Sequence, residues 1–109
     1  MYITDEDNPR LPFLRDKTSK LTTSPGCYIM KDKMKKIIYI GKAKNLRNRV
    51  TSYFRKCQDP LPKVWKMVSH VYDSDFLVTD SEFEALVLEC SLIKQYTPKN
   101  NILQKDDKG

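Results

Sequence analysis

The sequence lacks long apolar runs, and no stretch of its 109 residues approaches the roughly 20 consecutive apolar residues that a membrane-spanning helix needs. The N-terminus, MYITDEDNPR, also lacks the basic and then apolar order of a secretory signal peptide. These absences exclude the integral membrane class and predict a soluble, cytoplasmic protein. With 39% hydrophobic residues, the chain can build the core of one small domain but is too short for two.

Cysteine and histidine are scarce, which limits the metal sites that the chain can build. The three cysteines, Cys27, Cys57 and Cys90, are far apart and form no CxxC or Cys/His cluster with metal-ligand spacing. We interpret them as reduced, structural thiols. The single histidine, His70, has no second metal ligand at useful spacing in its segment, so we expect it to face solvent or to be a hydrogen-bonded core residue.

Acidic residues are nearly absent between Lys31 and Lys56. This segment has ten cations and one acid, Asp32, so it carries a formal charge of +9, whereas the whole chain carries +6. Phosphate contacts by lysine and arginine supply most sequence-independent binding to nucleic acids. The segment therefore predicts a DNA-binding surface, and a solvated basic face without a partner is the alternative. The candidate DNA-binding residues are Lys42, Lys44, Arg47, Arg49, Arg55 and Lys56.

Turn signals and short apolar runs predict a hairpin in the first part of the chain. Residues 1–20 are mixed and polar, and we expect an irregular arm there, with a short helix near Pro12 to Lys20. Ser24-Pro25-Gly26 is typical of a turn, and the run at 27–30 has the length and residue types of a strand. A polar loop leads to a second apolar run at 37–40, so the two runs predict an antiparallel hairpin.

The chain after this hairpin predicts helices and one more strand. Apolar residues recur at helical spacing within 46–54, and Asn45 is a suitable N-cap. The opposite side of that helix is cationic. Shorter patterns predict a helix near 64–68 and a strand at 72–79.

A long last helix completes the predicted set of elements. Ser81 and Glu84 have capping-box spacing, which predicts a helix that begins there and runs to about Tyr96, where Pro98 stops it. The order of elements is that of an α+β protein. We expect a small, mostly antiparallel three-stranded sheet flanked by helices.

The last helix places an acid on its apolar side. The neighbours of Glu89 at three and four residues along the helix are apolar, among them Ala85 and Ile93. Burying an ionised carboxylate costs several kcal/mol unless a cation compensates it. Glu89 therefore needs a partner, either a divalent metal ion or an arginine of the helix predicted at 46–54; with an arginine it would form a purely structural ion pair.

Three stretches of the sequence carry a family resemblance. They are PGCYIMKD, YIGKAKNLRNRVTSYF and EALVLECSLIKQYTPKNN, and the first two contain a GCY and a YIG. These stretches resemble the GIY-YIG nuclease family, and most closely its members in nucleotide excision repair. The resemblance implies a GIY-YIG domain at 21–103, followed at 104–109 by the start of a linker to further domains of a longer protein.

The resemblance also implies a function. It implies a DNA endonuclease domain that hydrolyses a phosphodiester bond with one divalent metal ion, Mg²⁺ or Mn²⁺. In excision repair this domain would make the incision on the 3′ side of a lesion. Its partners would be DNA and, through the full-length protein, the damage-recognition subunits of the excinuclease.

The site residues follow from the same resemblance. Tyr28 is expected to be the general base, with its phenolate favoured by nearby cations, since an ordinary tyrosine pKa of about 10 is too high for a base at neutral pH. Gly41 would let the chain turn closely into the next segment. For the asparagine after the long helix we expect Asn101, with Asn100 as the alternative. The implied set is Glu89 as the metal ligand and, as catalytic residues, Tyr28, Tyr39, Lys42, Arg49, Tyr53 and Asn101.

Two other functions stay open at this point. One is a non-catalytic nucleic-acid-binding module that uses the same basic segment; its binding would be salt-sensitive, would need no metal and would survive Glu89→Ala. The other is a GIY-YIG nuclease outside excision repair, in which different appended domains choose the substrate. The sequence that follows Gly109 distinguishes this second possibility.

Overall fold

The structure is a computed structural model that describes residues 6–54, 62–98 and Asn101. Its helices and strands follow one another in the predicted order, and the α+β class is confirmed. No helix of the described ranges is long and apolar enough to cross a bilayer. The elements are α1 (Leu11–Ser19), β1 (Gly26–Lys31), β2 (Ile37–Ala43), α2 (Leu46–Phe54), α3 (Pro62–Ser69), β3 (Asp73–Val78) and α4 (Glu82–Tyr96).

The three strands form one antiparallel sheet in the order β2-β1-β3. In its register Tyr28 lies opposite Gly41 on one side and Phe76 on the other, and Met30 lies opposite Tyr39. Residues directly opposite each other share a face of the sheet, so these side chains all lie on one face. The predicted hairpin of β1 and β2 is confirmed.

Helices α1 and α2 bury this face of the sheet. Tyr28 and Met30 belong to one apolar cluster with the fully buried Phe54 of α2. Leu11 and Leu14 of α1 belong to the same cluster and are also fully buried. The short helix that we expected near Pro12 to Lys20 is therefore found as α1, and it joins the arm to the core, because these two leucines gain more from burial than from solvent contact. The domain boundaries at residues 21 and 103 stay predictions.

Helix α4 packs on the other face of the sheet. The buried Cys27 thiol of β1 donates to the Ala85 carbonyl oxygen at 3.1 Å, and Ala85 is fully buried. Cys27 is therefore the structural thiol that we expected, whereas Cys90, which is likewise a free cysteine, is exposed. Cys57 lies outside the described residues, and His70 faces solvent.

Local capping explains where the two functional helices begin. The Asn45 side chain accepts from the Asn48 amide at 3.1 Å, and the Ser81 hydroxyl accepts from the Glu84 amide at the same distance. Such caps each stabilise a helix by about 1 kcal/mol. At its other end, α4 is closed by Thr97 in the left-handed conformation, with φ of 39°. Both predicted helix starts are confirmed.

Candidate active site

Three tyrosines from three elements meet on the sheet face that α2 covers. Tyr28 of β1 is almost fully buried, and its hydroxyl lies 2.8 Å from the hydroxyl of Tyr53 on α2. The Tyr28 ring is also tilted against Tyr39 of β2, with 6.1 Å between ring centroids. The sheet register and the packing of α2 against the sheet together bring these residues into one cluster.

Gly41 makes room for the Tyr28 ring. A β-carbon built on Gly41 would overlap the hydroxyl and Cζ of Tyr28 and lie 2.8 Å from its Cε2. Gly41 is a buried residue inside β2 and lies directly opposite Tyr28. The expected reason for this glycine, a close turn into the next segment, is therefore wrong. Its absent side chain lets the phenol cross the strand instead.

The surroundings of Tyr28 favour the neutral phenol. Burial raises its pKa well above the ordinary value, Tyr53 and Tyr39 raise it further, and only Arg49 lowers it. Burial also raises the pKa of Tyr39, and the charge of Glu89 adds to that effect. The expectation that nearby cations favour the Tyr28 phenolate is therefore wrong, because one exposed guanidinium does not offset the loss of solvent.

Cations line a groove next to this tyrosine cluster. The groove has a volume of about 530 Å³ and lies between the end of β2, one side of α2 and the first turn of α4. Lys42, Lys44 and Arg49 of the predicted DNA-binding set line it, whereas Arg47 is exposed on α2 but is not part of its wall. Arg55 and Lys56 lie outside the described residues.

Four polar residues of this groove were not predicted as part of a site from the sequence. They are Asn45, which was predicted only as an N-cap, Asn48 and Ser52 of α2, and Glu82 of α4. Asn48 and Ser52 are four residues apart, on the ridge of α2 next to Arg49. The helical periodicity of the sequence therefore indicates that they lie on the same side of the helix as Arg49. Glu82 forms an ion pair of 3.8 Å with Lys44 between two largely exposed side chains.

Glu89 occupies the position on α4 that the helical pattern predicts. Its side chain is half-buried, and burial raises the pKa of the carboxyl, while the charge of Lys42 and a hydrogen bond from the Lys42 backbone amide oppose that rise. In the described part of the chain, no lysine or arginine forms an ion pair with Glu89. The arginine partner that we considered is thus not found on α2 as far as Phe54.

The donor set around Glu89 fits a hard divalent cation with few protein ligands. Residues 6–54, 62–98 and 101 contain no group of three or more His, Cys, Asp or Glu that would enclose a metal ion. Mg²⁺ is commonly held by one or two carboxylates, with water and substrate phosphate completing its coordination. One half-buried carboxylate beside a cationic groove provides that kind of site. The assignment of Glu89 as the metal ligand remains a prediction.

Asn101 pairs with the open edge of β2. Its side-chain oxygen accepts from the Ile40 amide at 2.7 Å, and its side-chain nitrogen donates to the Ile40 carbonyl at 2.8 Å. Asn101 is buried, and β2 is an edge strand whose outer backbone groups need partners. Asn101 thus positions β2 and its site residues through the backbone. Asn100, the alternative, lies outside the described residues.

Comparison with known proteins gives a consistent set of relatives. A family model described as the UvrC-like GIY-YIG domain matches residues 24–102. UvrABC system protein C of Thermoanaerobacter sp. (strain X514) is 57% identical over 96 residues, which are 88% of this chain and 16% of that protein. The protein of the same name from Streptococcus pneumoniae (strain JJA) is also 57% identical, over 88% of this chain and 15% of its own length. The chain thus spans about a sixth of the length of these relatives.

A solved structure gives the same picture at the level of the fold. The N-terminal GIY-YIG endonuclease domain of UvrC from Thermotoga maritima, in a crystal structure with its catalytic divalent cation magnesium, matches with a TM-score of 0.72. The two sequences are 39% identical, and the match covers 81% of this chain and 94% of that one. Fold and sequence therefore agree on the same group of relatives.

Proposed function

The chain belongs to the UvrC-like GIY-YIG domain family, and from that membership we propose that it is a DNA endonuclease domain that uses one divalent metal ion. The observation that carries the proposal is the half-buried Glu89 carboxylate, which lies beside Lys42 and has no ion-pair partner among the described residues. A divalent cation bound there offsets the cost that burial imposes on the ionised carboxylate. Mg²⁺ or Mn²⁺ at Glu89 supplies Lewis-acid stabilisation of charge on the phosphate and on the leaving oxygen.

Arg49 is the residue best placed to stabilise the phosphate as the bond breaks. It lines the groove with Lys42, and it is close enough to Tyr28 to lower the pKa of that phenol. A guanidinium donates two parallel hydrogen bonds to phosphate oxygens, whereas an ammonium acts as a point charge. Arg49 therefore strengthens its contact as charge develops on the phosphoryl oxygens, and Lys42 holds the phosphate in place.

The tyrosine cluster supplies a route for the proton of the attacking water. Because the Tyr28 phenol is neutral, it accepts that proton only if it passes its own proton to Tyr53, whose hydroxyl lies 2.8 Å away. Tyr53 is half-buried and releases its proton to solvent. Tyr39, whose ring leans on Tyr28, orients the water. In this scheme Tyr28 is a relay, and no standing phenolate is needed.

The excision-repair setting is also part of the proposal. Within a longer protein the domain makes the incision on the 3′ side of a lesion, and the damage-recognition subunits UvrA and UvrB choose the lesion. Contacts from a basic surface to phosphates carry no sequence information, which is consistent with delegating that choice. The proposed DNA contacts are Lys42, Lys44, Arg47, Arg49, Arg55 and Lys56.

The 3′ nick in a lesion-containing duplex tests this function in the full-length protein with its partners present. We expect Glu89→Gln to lower the rate of that nick at least about a hundredfold, because it removes the metal's charged ligand while leaving the groove intact. Glu84→Gln is the matched control, since it changes the same residue type on the same helix and preserves the capping position. Its rate should equal that of the wild type.

Two results would reject the nuclease assignment. One is a 3′ nick by Glu89→Gln at the rate of the wild type. The other is the absence of any metal-dependent nick together with salt-sensitive DNA binding that survives Glu89→Ala, which is the behaviour of a binding module. A domain that nicks other DNA but makes no 3′ nick at a lesion when UvrA and UvrB are present would be a GIY-YIG nuclease outside excision repair.

A further inference from the structure

A second cavity lies at the opposite end of β2 from the groove. It has a volume of about 810 Å³ and is walled by the start of α1, the loop between β1 and β2, and the end of α3. Lys36, Ile37 and Ile38 line it, whereas Lys42 and Ala43 at the other end of β2 line the groove. We refer to it as the hairpin cavity. None of the residues assigned to the reaction line it.

The hairpin cavity is strongly basic. Four cations and one acid in its wall leave a net charge of +3; the cations are Arg10, Lys33, Lys36 and Lys66, and the acid is Asp32. No carboxylate in the described part of the chain forms an ion pair with Lys33, Lys36 or Lys66, and all three are exposed. These unpaired lysines lie on two separate elements, the loop between β1 and β2 and helix α3, and they create a positive potential around the cavity that favours an anionic occupant.

The only acid in this wall is engaged by the loop itself. One carboxylate oxygen of Asp32 accepts from the Met34 amide at 2.9 Å and from the Lys36 amide at 3.0 Å. The loop is further fixed by Lys35, whose φ of 67° is left-handed and whose amide donates to the Asp32 carbonyl. Asp32 therefore fixes the loop that carries Lys33 and Lys36, and its single charge leaves the wall with the net charge of +3.

The opposite wall is equally well fixed. The Arg10 guanidinium lies 4.0 Å from the ring centroids of both Phe13 and Tyr72 and donates to the Tyr72 carbonyl. The buried Asn8 side chain donates to the carbonyls of Val68 and Val71 at the end of α3. These contacts hold the start of α1 against the end of α3, so a ligand meets a preformed surface.

The length of β2, which separates the hairpin cavity from the groove, corresponds to a short segment of duplex DNA. Strand β2 extends from Ile37 at the cavity to Ala43 at the groove, and seven strand residues span about 20 Å. Duplex DNA rises about 3.4 Å per base pair, so this length corresponds to about six base pairs. A duplex whose scissile phosphate lies in the groove is long enough to reach the hairpin cavity.

We propose that the hairpin cavity binds the phosphate backbone of duplex DNA about six base pairs from the bond that is cleaved. The inference rests on the proposed function, because that function supplies a polyanion in the groove at the other end of β2. An acidic peptide as the occupant would explain the positive charge of the cavity. It would not explain why the cavity and the groove lie at the two ends of the same strand, β2. DNA is therefore the favoured occupant, and the peptide is an outcome of the test.

Salt-dependent binding of a DNA duplex of about 20 base pairs, measured by fluorescence anisotropy in EDTA, tests the inference without requiring cleavage. The test variant is Lys36→Gln/Lys66→Gln, and the charge-matched control is Lys20→Gln/Lys94→Gln at two exposed positions away from both sites. Each phosphate contact contributes about 0.9 to the slope of log K against log salt. From 50 to 200 mM salt, the wild type should therefore lose about tenfold more affinity than the test variant.

The control separates a local contact from a general charge effect. A slope for the control equal to that of the wild type, with the lower slope confined to the test variant, supports the inference. Equal slopes for test variant and control overturn it, as does absence of DNA binding by the wild type. Binding of a polyglutamate peptide that the test variant loses, with unchanged DNA binding, overturns it in favour of the acidic peptide. If the binding pattern holds but the 3′ nick is never made, the proposed function fails, and the hairpin cavity remains a contact site for duplex DNA without a cleaved bond to which its distance refers.

Discussion

The Tyr28 phenol crosses β2 at Gly41, and the two residues are so close that no β-carbon fits between them. This contact places the Tyr28 hydroxyl beside Tyr53 on α2 and keeps it near Arg49. The site therefore depends on the absence of a side chain as much as on the polar groups that surround it. A glycine in a strand is otherwise unfavourable, because it contributes no packing and loses more backbone entropy on folding.

Gly41→Ala should displace the Tyr28 ring. We expect a loss of about 1–3 kcal/mol of unfolding free energy from overpacking, measured by urea denaturation. The rate of the 3′ nick should fall about a hundredfold, because a displacement of about 1 Å at a reacting group has that effect. In a Tyr28→Ala background the same substitution has room, so its cost in stability should largely disappear. An equal cost in both backgrounds would show that Tyr28 is not what excludes the β-carbon.

The raised pKa of Tyr28 predicts how stability depends on alkaline pH. The phenol keeps its proton in the folded state above its ordinary pKa of 10.0, whereas the unfolded chain loses it. The unfolded state then binds fewer protons, so the free energy of unfolding should fall as pH rises above about 10. Tyr28→Phe should make this fall shallower. The exposed Tyr96 is the control: Tyr96→Phe should leave the fall as steep as in the wild type.

The Glu89 carboxylate should lower the stability of the metal-free protein and raise that of the metal-bound protein. Burial raises the pKa of its carboxyl, so this group's contribution to stability is full below the ordinary value of 4.5 and is lost as pH rises from there through the raised pKa of the folded state. At neutral pH in EDTA, Glu89→Gln should therefore be at least as stable as the wild type. Added Mn²⁺ should raise the melting temperature of the wild type but not that of Glu89→Gln, since only the wild type binds the ion at this site.

The outcome is measured by thermal unfolding with and without Mn²⁺. Glu84→Gln, with Glu89 intact, should gain stability from the ion as the wild type does. A loss of stability in Glu89→Gln without metal would instead mean that the ionised carboxylate has a stabilising partner in the folded protein. An equal gain with Mn²⁺ for both proteins would place the ion elsewhere.

Loss of the Asn101 side chain should destabilise β2 locally. Asn101→Ala removes both hydrogen bonds to Ile40, and we expect a loss of about 2 kcal/mol, at about 1 kcal/mol for each bond. Hydrogen exchange of the Ile40 amide should accelerate more than that of Ile29 on the central strand. Asn48→Ala, on the exposed side of α2, should leave the Ile40 amide protected. Unchanged exchange at Ile40 in Asn101→Ala would contradict the positioning role.

Features set by neighbours in the sequence could be predicted. The caps at Asn45 and Ser81 use side chains that bond to amides three residues away, and such local patterns are visible in a sequence. The position of Glu89 followed from helical periodicity alone, because a helix fixes which residues share a side. The hairpin followed in the same way from two apolar runs and a short loop.

Features set by distant parts of the chain could not be predicted from pattern. The Tyr28–Tyr53 hydroxyl contact joins residues 25 apart, and the Asn101–Ile40 pair joins residues 61 apart. The true reason for Gly41 depends on which residue the sheet register places opposite it. The protonation of Tyr28 depends on how deeply the fold buries it, and a count of nearby cations gave the wrong direction.

The most direct measurement is an anomalous difference map from a crystal of this chain soaked in Mn²⁺. We expect one strong peak at the Glu89 carboxylate, with Tyr28, Tyr39 and Arg49 facing the same space, and no such peak in a crystal of Glu89→Gln. A Glu89 side chain paired with an arginine, or a Mn²⁺ peak only at other acids, would contradict the assignment of Glu89 as the metal ligand.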